Sequence, residues 1–503
     1  MTDYVVQINQ ARVYDIAEVT PLDKMARLSS RLDNTILLKR EDLQPVFSFK
    51  LRGAYNRMSY LTAAEKQQGV VAASAGNHAQ GVALSAHKMG ISALIVMPKT
   101  TPAIKIEAVK SYGAEIKLHG NNYDDACQYA LDIAEQQGRT FIHPYDDPEV
   151  IAGQGTIAKE ILQQHPEPLY AVFVPVGGGG LIAGVAAYIK AICPDIKVIG
   201  VEPEDAACLK AALAADERII LDQVGLFADG TAVRQVGVEP FRIAREMVDE
   251  VITVDSDELC AAIMDIFDDT RSIAEPSGAL AVAGVKKYLA REALTEQHIV
   301  AIDSGANINF DRLRHVAERA DLGERREVLF AATIDETPGS FQGFCQLLSS
   351  CSITEFNYRY ADNNKAQVFV GLHINGGDEE RHAIFAGLDQ YGYQWVDFTD
   401  NEMAKLHIRY MVGGHAPQVD NERLYRFEFP ERPGALLRFL TQMGQRWNIS
   451  LFHYRNHGAA YGRVLLGVQV IDDEKEDFQG FLASLGYSYW DETDNAAYQL
   501  FLK

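Results

Sequence analysis

Residues 170–192 read YAVFVPVGGGGLIAGVAAYIKAI, and this stretch decides the fold. Tyr170 to Val176 is a short apolar run rich in valine, as a strand covered on both faces requires. Gly177, Gly178, Gly179 and Gly180 follow, and Leu181 then opens an apolar helical stretch. A strand that passes through a glycine turn into a helix is the building unit of a parallel α/β sheet. Without Cβ atoms the backbone can close round a phosphate with its N–H groups, where the helix dipole adds its attraction. Glycine also serves plain tight turns, yet four in succession at such a junction favour an anion site. The run is not a Walker A loop, since no Lys-Ser/Thr follows, and it lacks GxGxxG spacing.

Working outward, the same alternation runs up to about Asn309. TILLKRE, GVVAAS, SALIVMP, AEIKLHG, IKVIGVEP and HIVAIDSG read as further strands, with amphipathic helices such as PAIKIEAVKSYG and YDDACQYALDIAEQQG between them. The fold class is therefore α/β, a doubly wound and mainly parallel sheet, whose ligands bind at the carboxyl ends of the strands. Three more loops stand at those ends. Phe49 and Lys50 lie in SFKLRGA, where a lysine sheltered at a helix start has its ammonium destabilised. An ordinary solvated lysine is the alternative. Ser74, Gly76, Asn77 and His78 lie in SAGNHAQG, an anion cradle before a helix; Asn77 could equally be a simple N-cap, and His78 a capping or packing residue. Ser304 ends the strand HIVAIDSG. A shielded lysine, an anion loop, a glycine cup and a strand-end hydroxyl together describe pyridoxal 5'-phosphate held as a Schiff base.

After DLGERREV the pattern changes to an internal repeat. Pro338-Gly339 matches Pro433-Gly434, Ile353–Arg359 matches Ile449–Arg455, Gly371 matches Gly467, and Thr399-Asp400-Asn401 matches Thr493-Asp494-Asn495, with offsets near 95. Each copy reads strand, Pro-Gly turn, helix, two strands, helix, strand, a ferredoxin-like α+β unit. Two copies can pair through their sheets and bury faces that one would expose. Neither holds a nucleophile beside a base, so the pair is a binding module. The expected domains are 1–322, 326–402 and 422–496.

Composition removes other classes. A net charge of −22 would repel a nucleic acid backbone, so no nucleic-acid partner is expected. No apolar run is long enough to span a bilayer, and the start lacks the features of a secretory or transit peptide, so a cytoplasmic protein with no membrane partner is expected. The six cysteines show no CxxC pair and no neighbouring histidine at ligand spacing; they read as scattered thiols, and no metal is expected.

In this order, SFKLRGA, SAGNHAQG, PVGGGG, EPSGA and SGAN resemble the tryptophan-synthase-β-type (fold type II) pyridoxal-phosphate enzymes. Within these the chain is similar to the threonine dehydratases and, given the doubled module, which resembles ACT-like regulatory domains, to their biosynthetic form. The resemblance implies that Lys50 holds the cofactor and moves the Cα proton, with Phe49 beside it. It implies that Asn77 meets the phenolic oxygen, that Gly177–Gly180 and Leu181 take the phosphate, and that Ser304 meets the pyridine nitrogen. Ser74, Gly76, Asn77 and His78 would hold the substrate carboxylate. L-Threonine, and also L-serine, would be dehydrated and deaminated, with isoleucine and valine as effectors near the matched Tyr358 and Tyr454 and a homotetramer as the assembly. Those two tyrosines could equally be core residues of the repeat. A serine-preferring dehydratase, a racemase or a β-replacement synthase would share the cofactor motifs, and a non-catalytic amino-acid sensor would have no reason to retain them all.

Overall fold

The structure, a computed structural model, describes residues 4–335, 344, 347–348, 352–359, 365–410, 420–430, 447, 449–455 and 461–503. It divides into two compact units, Met1–Asn309 and Phe310–Lys503.

The first unit holds two sheets. The larger runs Leu22–Lys24, Thr35–Arg40, His298–Asp303, Ala171–Pro175, Lys197–Pro203, Glu250–Val254, parallel throughout except for the antiparallel edge strand Leu22–Lys24. The smaller runs Glu115–Leu118, Ala93–Met97, Val70–Ala73, Thr140–Phe141, all parallel. All seven strands expected from the sequence are present. Leu22–Lys24, Thr140–Phe141 and Glu250–Val254 are additions. Two of them are too short to form a pattern, and the third is an EVITV run bounded by acidic residues, which reads as polar.

Helices cover both sheets. Val174, Val176, Val198 and Val300 of the large sheet pack with Ile182, Val185 and Ile189 from the helix that follows the glycines. Helix Lys50–Ser59 crosses helix Pro148–Gln164 at a glycine pair, where a Cβ on Gly153 would sit 2.7 Å from the Gly53 Cα. Only hydrogen at both positions allows that approach. Beside the crossing, Arg52 is fully buried and gives two hydrogen bonds of 2.8 Å to Glu41 and two, of 2.5 and 3.0 Å, to Glu160. Lys39, also fully buried, donates to Glu160 at 2.6 Å. Buried charges persist when paired and fully hydrogen-bonded, and here they tie the lysine-bearing helix to its neighbours.

The second unit contains the repeat. Its two sheets run Ser352–Arg359, Lys365–His373, Glu327–Asp335, Gln394–Asp397 and Ile449–Arg455, Tyr461–Gln469, Glu422–Pro430, Tyr489–Asp491. Both are antiparallel with the same strand order, and both break register at equivalent points, Ile353/Glu355 and Ile449/Leu451. Side chains alternate across each sheet. Val328, Phe330, Val368 and Val370 face one module's own core, and Tyr425, Phe427, Val464 and Leu466 face the other's. Leu329, Phe369, Phe398, Leu424, Leu465, Tyr498 and Phe501 meet in a shared cluster, joined by Leu322 from helix Arg312–Gly323. Asn401 donates to its repeat mate Asn495 at 3.3 Å, which places the two copies back to back. The Pro-Gly turns at 338–339 and 433–434, Cys345 and Cys351 lie outside the described residues. No disulfide joins Cys127, Cys193, Cys208 and Cys260.

Candidate active site

The four loops converge at the carboxyl ends of the first unit's strands. Lys50 is the first residue of its helix, and its amine donates to the Pro144 carbonyl at 3.2 Å while lying 5.1 Å from the centre of the Phe49 ring. Burial pulls its ammonium down to about 8, against an opposing pull from the Glu275 carboxylate. Such an amine is neutral far more often at neutral pH than a surface lysine, as nucleophile and base chemistry require.

Asn77 opens the helix Asn77–Met89 but does not cap it; Gly76 holds the cap position. The Asn77 amide donates to Glu275 Oε1 at 2.6 Å and accepts from Asn307 at 2.7 Å, so its orientation is fixed from two sides. Ser74 Oγ accepts from the Gly76 N–H at 3.2 Å and shapes the turn. His78 is buried, with Nε2 2.8 Å from the Ile142 carbonyl, and burial, helped by the Lys50 charge, lowers its pKa to about 3. A neutral ring engaged with that carbonyl leaves its backbone N–H, at the helix start, as what it offers a ligand.

The glycine run curls at the start of helix Gly180–Ile192, with Gly179 at φ 90°, which a side chain would strain. A Cβ on Gly177 would come 2.9 Å from Thr231 Cα, and one on Gly180 would come 2.9 Å from the Tyr145 carbonyl oxygen. Thr231 and Tyr145 thus wall the cup. Thr231 shares a 3.1 Å hydrogen bond with Ser277, and Ser304 donates to the Ser277 carbonyl at 3.3 Å, so cup and strand-end hydroxyl belong to one network. The Phe49 N–H donates to the Ser304 carbonyl at 3.3 Å, which closes the ring of loops back to Lys50.

The residues fit pyridoxal phosphate. The cup is open only because it lacks Cβ atoms, the lysine is a shielded amine, and Ser48 Oγ beside Gly305 is buried with no partner among the described residues. The reading from sequence left Glu275, Asn307, Tyr145, Thr231 and Ser277 without roles. Glu275, Ser277 and Asn307 sit inside quoted motifs, so position could have flagged them; Tyr145 and Thr231 carry no local signal. Tyr358 and Tyr454 occupy equivalent edge-strand positions opposite Val368 and Val464, and their side chains lie outside the described residues.

This fold and site define the class of pyridoxal-phosphate-dependent enzymes, and the model of a family described as pyridoxal-phosphate dependent enzymes matches residues 13–305. A second model, the C-terminal regulatory domain of threonine dehydratase, matches 318–408 and again 413–502. L-threonine dehydratase biosynthetic IlvA of Burkholderia multivorans is 56% identical, covering 99% of both chains, and that of Escherichia coli is 57% identical over 99% of this chain and 97% of its own. Among solved structures, the processed form of threonine deaminase isoform 2 from Solanum lycopersicum matches 63% of this chain and 92% of its own, with 49% identity and a TM-score of 0.62. Maize serine racemase matches 62% and 96%, with 33% identity and a TM-score of 0.58. The chain belongs to the biosynthetic threonine dehydratases, and pyridoxal phosphate is its cofactor.

Proposed function

We propose that the chain converts L-threonine, and more broadly L-serine, to 2-oxobutanoate (or pyruvate) and ammonia, as the committed step toward isoleucine. Full-length relatedness to enzymes so named carries the reading, and the meeting of Lys50, Asn77, the glycine cup and Ser304 at one sheet edge supports it. Pyridoxal phosphate, when bound, supplies the electron sink for the bonding pair left when a Cα proton departs. Lys50 would hold the cofactor and, once freed from it, take the Cα proton at an amine brought to about 8 by burial, while the β-hydroxyl gains a proton and leaves as water. Asn77, locked by Glu275 and Asn307, orients the cofactor's phenolic oxygen. The N–H groups of Gly177–Gly180 and Leu181 receive the phosphate. Ser304 meets the ring nitrogen with a neutral hydroxyl, which leaves that nitrogen unprotonated and favours elimination over transamination or racemisation. Ser74, Gly76, Asn77 and His78 bind the substrate carboxylate, His78 through its backbone. Loss of water then gives an enamine that hydrolyses, returning one water and releasing ammonia.

The back-to-back modules are the regulatory part, with isoleucine inhibiting and valine opposing it, at sites near Tyr358 and Tyr454. The same reading takes 1–322 as catalytic and 326–402 and 422–496 as regulatory, in a cytoplasmic homotetramer. Among the described residues no helix is long and apolar enough to cross a membrane. The test follows 2-oxobutanoate from holoenzyme and L-threonine, with and without isoleucine and valine. Product that isoleucine suppresses and valine restores is expected. Product indifferent to isoleucine would remove the effector assignment, and no product would overturn the substrate.

A further inference from the structure

At the edge of the large sheet opposite the reactive loops, three side chains distant in sequence come together. His165 Nε2 lies 3.0 Å from His298 Nδ1, across 133 residues of chain. His298 Nδ1 lies 3.2 Å from Glu167 Oε2, and one ligand atom from each of the three groups falls within 4.8 Å of the others. We propose that His165, Glu167 and His298 form a binding site for a borderline divalent metal ion of the zinc class.

The distances are those of a ligand set. Bonds of about 2.05 Å at tetrahedral angles place neighbouring ligand atoms about 3.3 Å apart. The two short separations here, 3.0 and 3.2 Å, are close to that edge. Two imidazoles and a carboxylate suit zinc and its neighbours better than magnesium or calcium, which prefer all-oxygen shells. Each ring is neutral with its one proton on the far nitrogen when it ligates, so the hydrogen bond between the rings gives way to two metal bonds.

The scaffold holds the donors in place. His298 begins the central strand His298–Asp303, and its carbonyl accepts from the Tyr170 N–H at 2.8 Å. His165 is the C-cap of the 17-residue helix Pro148–Gln164, whose negative dipole end favours a cation. Glu167 stands between Pro166 and Pro168, which stiffen its backbone, while its side chain is 64% exposed and free to swing inward. A metal here would clip the end of that helix to the start of the strand. The strand then runs six residues, about 20 Å at about 3.3 Å per residue, before reaching Ser304, so the ion takes no part in the reaction.

The test uses full-length holoenzyme freed of metal by chelation and of excess cofactor by dialysis. Zinc binding is followed by calorimetry, with cobalt(II) absorption as a reporter of nitrogen ligation, for the wild type, His165→Asn, His298→Gln and the exposed Glu167→Gln. One zinc per chain is expected in the wild type, weakened at least about tenfold in each histidine variant and less in Glu167→Gln. Saturating zinc should raise the wild-type Tm by roughly 2–4 °C and leave the histidine variants unmoved. Threonine turnover without metal should be the same in all four proteins. An unchanged zinc isotherm in both histidine variants, or no wild-type binding tighter than about 1 mM, would overturn the site.

Discussion

The reactive edge of the first unit and the seam between the two small modules bury different kinds of group. At the edge, charges and amides are enclosed and cross-linked: Arg52 with Glu41 and Glu160, Asn77 with Glu275 and Asn307, Ser304 with Ser277. At the seam the enclosed groups are mostly apolar, with Phe369 and Phe398 about the Phe501 ring at 5.9 and 6.3 Å. Buried polar networks set directions and are costly to leave half satisfied, which suits a site that must hold a proton-transfer geometry. An apolar seam has little directional preference, which suits a joint whose two sides can shift when a small molecule binds.

The sharpest way to break this contrast is at Lys50. Lys50→Ala should remove turnover and the visible absorbance of the lysine–cofactor link, while circular dichroism stays native. Persisting turnover would remove the edge from the chemistry altogether. Next in size is Arg52→Met, which strands two buried carboxylates. It should lower stability by about 3–5 kcal/mol in denaturant titrations. Adding Glu41→Gln should recover part of that loss, and a cost below about 1 kcal/mol would mean that the network does not hold the lysine-bearing helix.

Phe501→Ala tests the seam. A phenyl group removed from a core costs about 3 kcal/mol or more. That loss should fall on the second unit, seen by hydrogen exchange, with isoleucine response diminished and threonine turnover retained. An unaltered isoleucine response would detach regulation from the seam.

The smallest effects are in pH. Glu202 in the first unit accepts from the Leu209 and Lys210 N–H groups at 2.8 and 2.9 Å, yet burial raises its pKa from 4.5 to about 7. The folded state therefore holds its proton more tightly than the unfolded chain. Its contribution is complete below about 4.5 and lost as pH rises through about 7. Glu402 in the second unit is opposite. Burial would raise it, but a two-point pairing with Arg319 at 2.7 and 2.9 Å prevails and brings it to about 2. Its contribution is present above about 4.5 and lost as pH falls toward 2. Glu202→Gln should flatten the first unit's stability between pH 5 and 8, and Glu402→Gln the second unit's below about 4.5. Parallel profiles for the two units would refute this division.

Six of the seven strands were legible because strands buried on both faces are written as continuous apolar runs, while the largely exposed edge strand Glu115–Leu118 showed as an alternation of polar and apolar residues. The candidate loops of Lys50, Asn77, the glycines and Ser304 were legible because they follow strands. Glu250–Val254 escaped because its flanks are acidic, and Glu275 because a glutamate before a proline looks like any helix start. Tyr145 shapes the cup through its ring and its carbonyl, and Thr231 through its backbone, and both reach it from distant parts of the chain.

By itself the sequence determined the alternation of strand and helix, the four candidate loops and the duplication at an offset of about 95 residues, since all of these are local patterns or self-comparisons. Only the tertiary structure decided which groups meet. The grip of Glu275 and Asn307 on Asn77, the pairing of Asn401 with Asn495 and the approach of His165 to His298 each join residues 94 or more apart. Hydrogen bonds act over about 3 Å, so they exist only once sheet order and helix packing have brought those residues together.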